Sequence, residues 1–174
     1  SETKDSSLCA AKAEYELVQT EARLKWWIEA AWKQGYMAID TETDSLVACT
    51  AKLVGVSLAI APGKACYIPV GHVDPQTAPN DGGFAFGDSK APQQLDPKTV
   101  AKHLQEILKD PATLKIAHNL KFDAQVLGQH GLIIEPYDDT MLLSYVLSAG
   151  LHGHGLDELA MFHCQHKMIA FADV

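Results

Sequence analysis

The chain has 174 residues, 47% of them apolar, which suits one compact domain able to bury its own core. A formal charge of −8 and a single arginine, Arg23, exclude a wide duplex-gripping basic surface, but not an enzyme that holds one strand end through metal ions. The four cysteines, Cys9, Cys49, Cys66 and Cys164, form no C-x-x-C pair, no apolar run nears the roughly 20 residues of a membrane span, and Ser-Glu-Thr-Lys-Asp does not open a signal peptide, so a soluble, cytoplasmic protein with reduced thiols and no membrane partner is expected.

In chain order, Glu14 to Val18 alternates as a short strand, and Thr20 can cap a helix carrying Leu24, Trp27, Ile28 and Ala31 on one face, stopped by Gly35. Trp26, Trp27 and Trp32 are expected to pack in the core rather than to stack on bases. Strand-like runs follow at Tyr36 to Asp40, Leu53 to Ile60 and Ala65 to Val70, with Pro62-Gly63 turning between the last two, and they read as an antiparallel three-strand meander. Residues 74–95, with Pro75, Pro79, Asn80, Asp81, Gly82, Gly83, Gly87 and Pro92, are expected to form a mobile surface loop. Asp96-Pro97 then opens a helix to about Lys109, Leu114 to Ala117 is a short buried strand, and a helix runs from about Lys121 to His130. Asp139 can cap an apolar helix, Met141 to Leu147, and Leu156 to Phe162 forms the last one. Strands followed by alternating helices and strands predict an α/β fold, a mixed sheet flanked by helices.

Two segments carry the chemistry. In Met37-Ala38-Ile39-Asp40-Thr41-Glu42 an apolar strand runs into two carboxylates, and residues two apart on a strand share a face. Such a pair repels unless a cation or proton lies between its members, and an oxygen-only donor set favours Mg²⁺ or Mn²⁺. By itself an acidic pair also suits a merely solvated strand end. A calcium loop through Asp40, Glu42 and Asp44 fails, because Ser45 stands at the required glycine and Ala51 at the bidentate glutamate. In Leu114-Lys115-Ile116-Ala117-His118-Asn119-Leu120-Lys121-Phe122-Asp123, a second buried strand ends at Asn119, suited to the strand exit or N-cap, and Asp123 follows one helical turn later. Beside Asp40 and Glu42, the second segment supplies a third carboxylate from a different element, as dinuclear oxygen-ligand sites are commonly assembled.

Asp40-Thr41-Glu42 resembles the D-x-E motif, and Asn119 to Asp123 the N-x-x-x-D motif, of the 3′→5′ proofreading exonuclease domain of family-A DNA polymerases, within the DEDD exonuclease superfamily. Asp139-Thr140-Met141 and Leu156-Asp157-Glu158-Leu159-Ala160 fall in the same order, so the resemblance runs from about Tyr15 to the C-terminus. It implies a ribonuclease H-like fold and a two-metal nuclease acting at a single-stranded or frayed DNA 3′ end, with Mg²⁺ or Mn²⁺ as cofactor and a polymerase domain on the same full-length chain. Asp40 would bridge the ions, Glu42 would bind the nucleophile-side ion and Asp123 would hold the second. Thr43, Leu46, Asn119, Phe122 and Phe171 would contact the terminal nucleotides. An RNA-trimming relative and a non-enzymatic polymerase scaffold are the alternatives.

The family's third motif, Y-x-x-x-D, is not found after Asp123: Tyr137 is followed four residues on by Met141, and Tyr145 by Ala149. The expectation is a single exonuclease domain, residues 1–174, that stops before that motif and is a poor or inactive nuclease as it stands. The histidines in Leu151-His152-Gly153-His154-Gly155 do not by themselves make a zinc site. His72 and His103 read as ordinary surface or loop residues.

Overall fold

A computed structural model describes residues 13–74 and 90–169 of the chain. The elements run β1 (Glu14–Leu17), α1 (Glu21–Gln34), β2 (Tyr36–Thr43), β3 (Leu53–Ala61), β4 (Lys64–Pro69), α2 (Pro97–Lys109), β5 (Leu114–Ala117), α3 (Lys121–Gly128), β6 (Tyr137–Asp139), α4 (Thr140–Ser148) and α5 (Leu156–Cys164). Among the described residues the strands form one sheet in the order β1-β4-β3-β2-β5-β6. Strands β2, β3 and β4 pair antiparallel, giving the expected meander, while β1 joins β4, β5 joins β2 and β6 joins β5 in parallel. The sequence reading does not include β6, a three-residue strand with no apolar run of its own.

Alternation along the strands sorts the sheet into two faces. Met37 and Ile39 of β2, Val56, Leu58 and Ile60 of β3, and Cys66 and Ile68 of β4 join the core with α1 and α2. From α2, Leu104, Ile107 and Leu108 are completely buried, each worth about 1.5–3 kcal/mol relative to exposure. The opposite pleat carries Asp40 and Glu42 on β2, Gly55 and Ser57 on β3, and Tyr67 on β4, joined by the pairings Asp40 with Ser57, Glu42 with Gly55 and Ser57 with Tyr67.

The helix boundaries follow from local chemistry. The Thr20 hydroxyl accepts from Arg23 N (3.3 Å), and Gly35, at φ 78°, donates its N–H to the Ala31 and Trp32 carbonyls. The Asp96 carboxylate accepts from Thr99 N (2.9 Å), with Pro97 opening α2. Helix α3 ends at Gly128, short of the expected His130.

The tryptophan stripe is only partly in the core. Trp27 is 2% exposed, but Trp26 and Trp32 are each 38% exposed. Leu24, Trp27, Ile28 and Ala31 occupy the buried face of α1, and Trp26 lies beside it, with the Arg23 guanidinium 4.4 Å and the Lys64 ammonium 5.3 Å from its ring centre. Helix α4 is apolar in composition, yet only Ser144 on it is buried. Val146, Leu147 and Leu151 face solvent.

Lys115, in the middle of buried strand β5, is completely buried. Its ammonium donates to the carbonyls of Ile107 (3.2 Å), Asp110 (2.9 Å), Thr113 (2.7 Å) and Glu135 (2.7 Å). One cation therefore ties the end of α2 and the approaches to β5 and β6. Burial lowers its pKa, and the charges of Asp110 and Glu135 oppose that shift.

Most of the expected surface loop, residues 75–89, lies outside the described residues. Its C-terminal flank is tied down: Gln19 donates to the Gln93 carbonyl, Leu95 N donates to the Pro69 carbonyl, and Gln94 bonds His72. No described helix is long and apolar enough to cross a membrane.

Candidate active site

Strand β2 organises the acids. The sequence reading ends it at Asp40, but its pairing with β3 continues to Thr43, with an irregularity between Glu42 and Thr43. Met37, Ile39 and Thr41 are buried on one pleat, so Asp40 and Glu42 share the other and reach solvent.

Asp123 arrives from the first turn of α3 and is only 3% exposed. Its Oδ1 accepts from Thr41 N (3.0 Å) and from Thr41 Oγ1 (2.6 Å). The third acid is thus held by the residue between the first two.

The three carboxylates act on one another. Although Asp40 is exposed, surrounding protein strips part of its hydration, and this, followed by the charge of Glu42, raises its pKa. Glu42 is raised first by burial and then by Asp123. Asp123 is pushed up to about 6, mainly by burial; the Thr41 hydroxyl opposes the shift and the charge of Asp40 adds to it. Among the described residues the ion pairs are Arg23 with Glu16 and Lys25 and His103 with Glu21, none of which involves these acids. A mutually repelling, all-oxygen set, one member buried and two at the surface, is suited to a hard divalent cation. Among the described residues, however, no three His, Cys, Asp or Glu side chains converge as ligands, and Asp123 spends Oδ1 on Thr41.

The turn between β5 and α3 is fixed by backbone geometry and a distant carboxylate. Asn119 is left-handed at φ 62°, a conformation asparagine adopts more readily than most residues. It is not the N-cap of α3: Leu120 is, without a side-chain bond. Asp139 serves instead, its Oδ1 accepting from Asn119 N (3.1 Å) and its Oδ2 from Leu120 N (2.9 Å), while Oδ1 also caps α4 through Met141 N (2.9 Å) and Leu142 N (3.3 Å). Burial alone would raise the Asp139 pKa, yet these four backbone donors hold it below the usual carboxylate range. One side chain sets both the corner leading to Asp123 and the start of α4.

Of the residues expected to touch nucleotides, Thr43 ends β2 and donates to the Ser45 carbonyl (2.8 Å), and Leu46 projects freely from the β2–β3 connection at 95% exposure. Asn119 and Phe122 are half-buried at the β5–α3 corner, where Phe122 N donates to the Asn119 carbonyl (3.1 Å). Phe171 lies outside the described residues.

The sequence reading misses Thr41, whose only signal is its place between the acids, and also Tyr67 and His72. His72 is not an ordinary loop residue, for its Nε2 meets the Tyr67 hydroxyl at 2.8 Å on the acid-bearing face. The loop histidines serve local roles: His154 Nδ1 meets Ser144 Oγ at 2.7 Å and His152 Nδ1 meets the Gly153 carbonyl at 2.6 Å.

Comparison with known proteins gives a concordant picture. A family model described as 3′-5′ exonuclease matches residues 15–172. DNA polymerase I of Rhizobium leguminosarum is 37% identical over 169 residues, covering 92% of this chain, which spans only 16% of that protein's length. Among solved structures, Escherichia coli RNase D, an exoribonuclease involved in structured RNA processing, superposes with a TM-score of 0.64 at 20% identity, over 90% of this chain and 35% of that one. Brucella melitensis NrnC with bound Mg²⁺ superposes with a TM-score of 0.61 at 22% identity, over 92% of this chain and 65% of that one. These structural likenesses establish the ribonuclease H-like fold expected from the sequence.

Proposed function

The chain belongs to the 3′-5′ exonuclease family of the DNA polymerase I type, and from that premise we propose that it removes nucleotides from the 3′ end of a single or frayed DNA strand. The observation that carries this reading is the placement of Asp40, Glu42 and Asp123 at the end of β2 and the first turn of α3, each raised in pKa by burial and by a neighbouring acid. The donor set suits Mg²⁺ or Mn²⁺, with Asp40, Glu42 and Asp123 as the holding residues. When bound, such ions polarise the phosphodiester and make a water nucleophilic at neutral pH.

The chain's own residues supply position. Thr41 fixes Asp123 through two hydrogen bonds, and Asp139 fixes the backbone corner from which α3 departs. Thr43, Leu46, Asn119 and Phe122, with Phe171, would contact the last nucleotides, and apolar and stacking contacts of that kind tolerate any base. The family relatives are much longer proteins, which supports a role as a proofreading module beside a polymerase domain on one chain.

An RNA-trimming activity is the second reading, favoured by the likeness to RNase D; the DNA reading is preferred because the 37% identity is to a DNA polymerase. The test uses 5′-labelled single-stranded DNA, RNA of the same sequence and blunt duplex DNA, with protein in excess and Mg²⁺ or Mn²⁺. Stepwise shortening of the single DNA strand from its 3′ end is expected, and Asp40→Ala should abolish it. Faster shortening of RNA would favour the second reading. Equal signals from wild type and Asp40→Ala on every substrate would remove the nuclease assignment.

A further inference from the structure

The acid-bearing face of the sheet carries a hydroxyl that the family motifs do not include. Tyr67 pairs across the ladder with Ser57, yet its side chain does not stand over that partner. It leans two residues along β3, so that a β-carbon built on Gly55 would overlap the phenol oxygen. Gly55 in turn is the ladder partner of Glu42. The phenol therefore points toward the acid end of the sheet, over a position that only glycine leaves vacant.

The hydroxyl is held in place from behind. His72 Nε2 lies 2.8 Å from Tyr67 Oη, with the two rings edge to face at 5.7 Å and 83°. The Gln94 side chain clamps the His72 backbone, accepting from His72 N and donating to the His72 carbonyl, both at 2.9 Å. Burial lowers the His72 pKa, favouring the neutral ring. Burial first, and then the charge of Glu42, push the Tyr67 phenol up to about 12, so it keeps its proton at neutral pH and lies within electrostatic reach of that carboxylate.

A neutral imidazole and a phenol can share a hydrogen bond in two ways. If the phenol donates to Nε2, its proton faces away from Glu42. If Nε2–H donates to the phenol oxygen, the phenol proton is released toward the negative group, and the Glu42 charge favours this arrangement. A neutral donor has a further use on this face. A lysine there would pair with Glu42 and compete with a divalent ion, whereas a phenol can donate to phosphate without cancelling the carboxylate's charge.

We propose that Tyr67, positioned by His72 and Gln94, donates its hydroxyl proton to a non-bridging oxygen of the scissile phosphodiester beside Glu42. The proposal rests on the exonuclease reading above. In the ground state the bond helps seat the phosphate; in the transition state, as charge builds on the phosphoryl oxygens, it strengthens, so its loss falls on turnover more than on affinity.

The experiment compares wild type, Tyr67→Phe and Asp40→Ala in 3′-nucleotide release from single-stranded DNA in Mn²⁺, together with the thermal midpoint of each protein and ¹⁵N NMR of the His72 ring. Tyr67→Phe should lower kcat by about 10²-fold, the cost of one preorganised donor, with KM within about twofold and the midpoint lowered by no more than about 2–6 °C for the lost bond to His72. His72 should carry its proton on Nε2. Wild-type turnover by Tyr67→Phe would overturn the proposal and leave the exonuclease reading intact. A proton on Nδ1 of His72 would also overturn it, because the phenol proton would then be spent on the ring. No difference between wild type and Asp40→Ala would end both readings together.

Discussion

Replacing Asp123 by asparagine should make the metal-free chain more stable at about pH 8 and leave it unchanged at about pH 4. Burial pushes the Asp123 carboxyl up to about 6 from its ordinary 3.8. Between those values the folded chain binds the proton more tightly than the unfolded one, so unfolding free energy falls as pH rises through the window, and the loss is complete above the folded value. Two units at about 1.4 kcal/mol each amount to on the order of 3 kcal/mol. Asparagine keeps the oxygen that accepts from Thr41 N and Oγ1 (3.0 and 2.6 Å) but cannot ionise. Urea unfolding in EDTA, followed by tryptophan fluorescence, should therefore give curves that coincide at low pH and separate by about 3 kcal/mol at high pH, or about 6–12 °C in thermal midpoint. Removing the Asp123 charge also relieves the Glu42 carboxylate that it raises, which adds to the variant's advantage at high pH. Parallel curves across the range, or a wild type that gains on the variant as pH rises, would refute a buried carboxylate that ionises at a cost.

Mn²⁺ titrated into the wild-type chain in a calorimeter should bind, and Asp40→Ala should bind far more weakly; equal affinities would remove Asp40 from the ligand set. Lys115→Met should lower unfolding free energy by about 2–4 kcal/mol in urea, because four carbonyls, two of them buried, lose their common donor. A loss below about 1 kcal/mol would show that water or relaxation replaces the ammonium.

Much of this arrangement is legible from sequence because it is local. The alternation Met37, Ile39, Thr41 against Asp40 and Glu42 is written along one strand, and the caps Thr20, Asp96 and Asp139 stand immediately before the helices they start. What escapes is set by pairing between distant segments. Asp123 meets Thr41 across 82 residues, and Asp139 meets Asn119 and Leu120 from a strand too short and polar to announce itself. Lys115 looks like an intruder in an apolar run until the carbonyls around it are known. Trp26 is misjudged as core because its apolar ring is weighed by type rather than by angle: at about 100° per residue it stands a full step round the helix from Trp27, off the buried face. Tyr67 and Gly55 carry no joint signal, since only the ladder register brings the phenol over the glycine.

The chemistry of the face follows from its charge. A chain of net charge −8 whose single arginine is engaged with Glu16 has little cationic surface with which to draw in a phosphate strand. Its three acids repel one another and are raised in pKa, so the metal-free site opposes both ionisation and nucleic acid. A divalent cation among them would reverse the local sign, making the acids' mutual repulsion the driving force for metal uptake and the metal the attraction for the 3′ end. In such a site the residues that must not carry charge matter as much as those that do. Thr41 grips Asp123 through neutral donors, and Tyr67 offers a neutral proton beside Glu42. Neither brings a positive charge to the acids, and each narrows where an oxygen can lie.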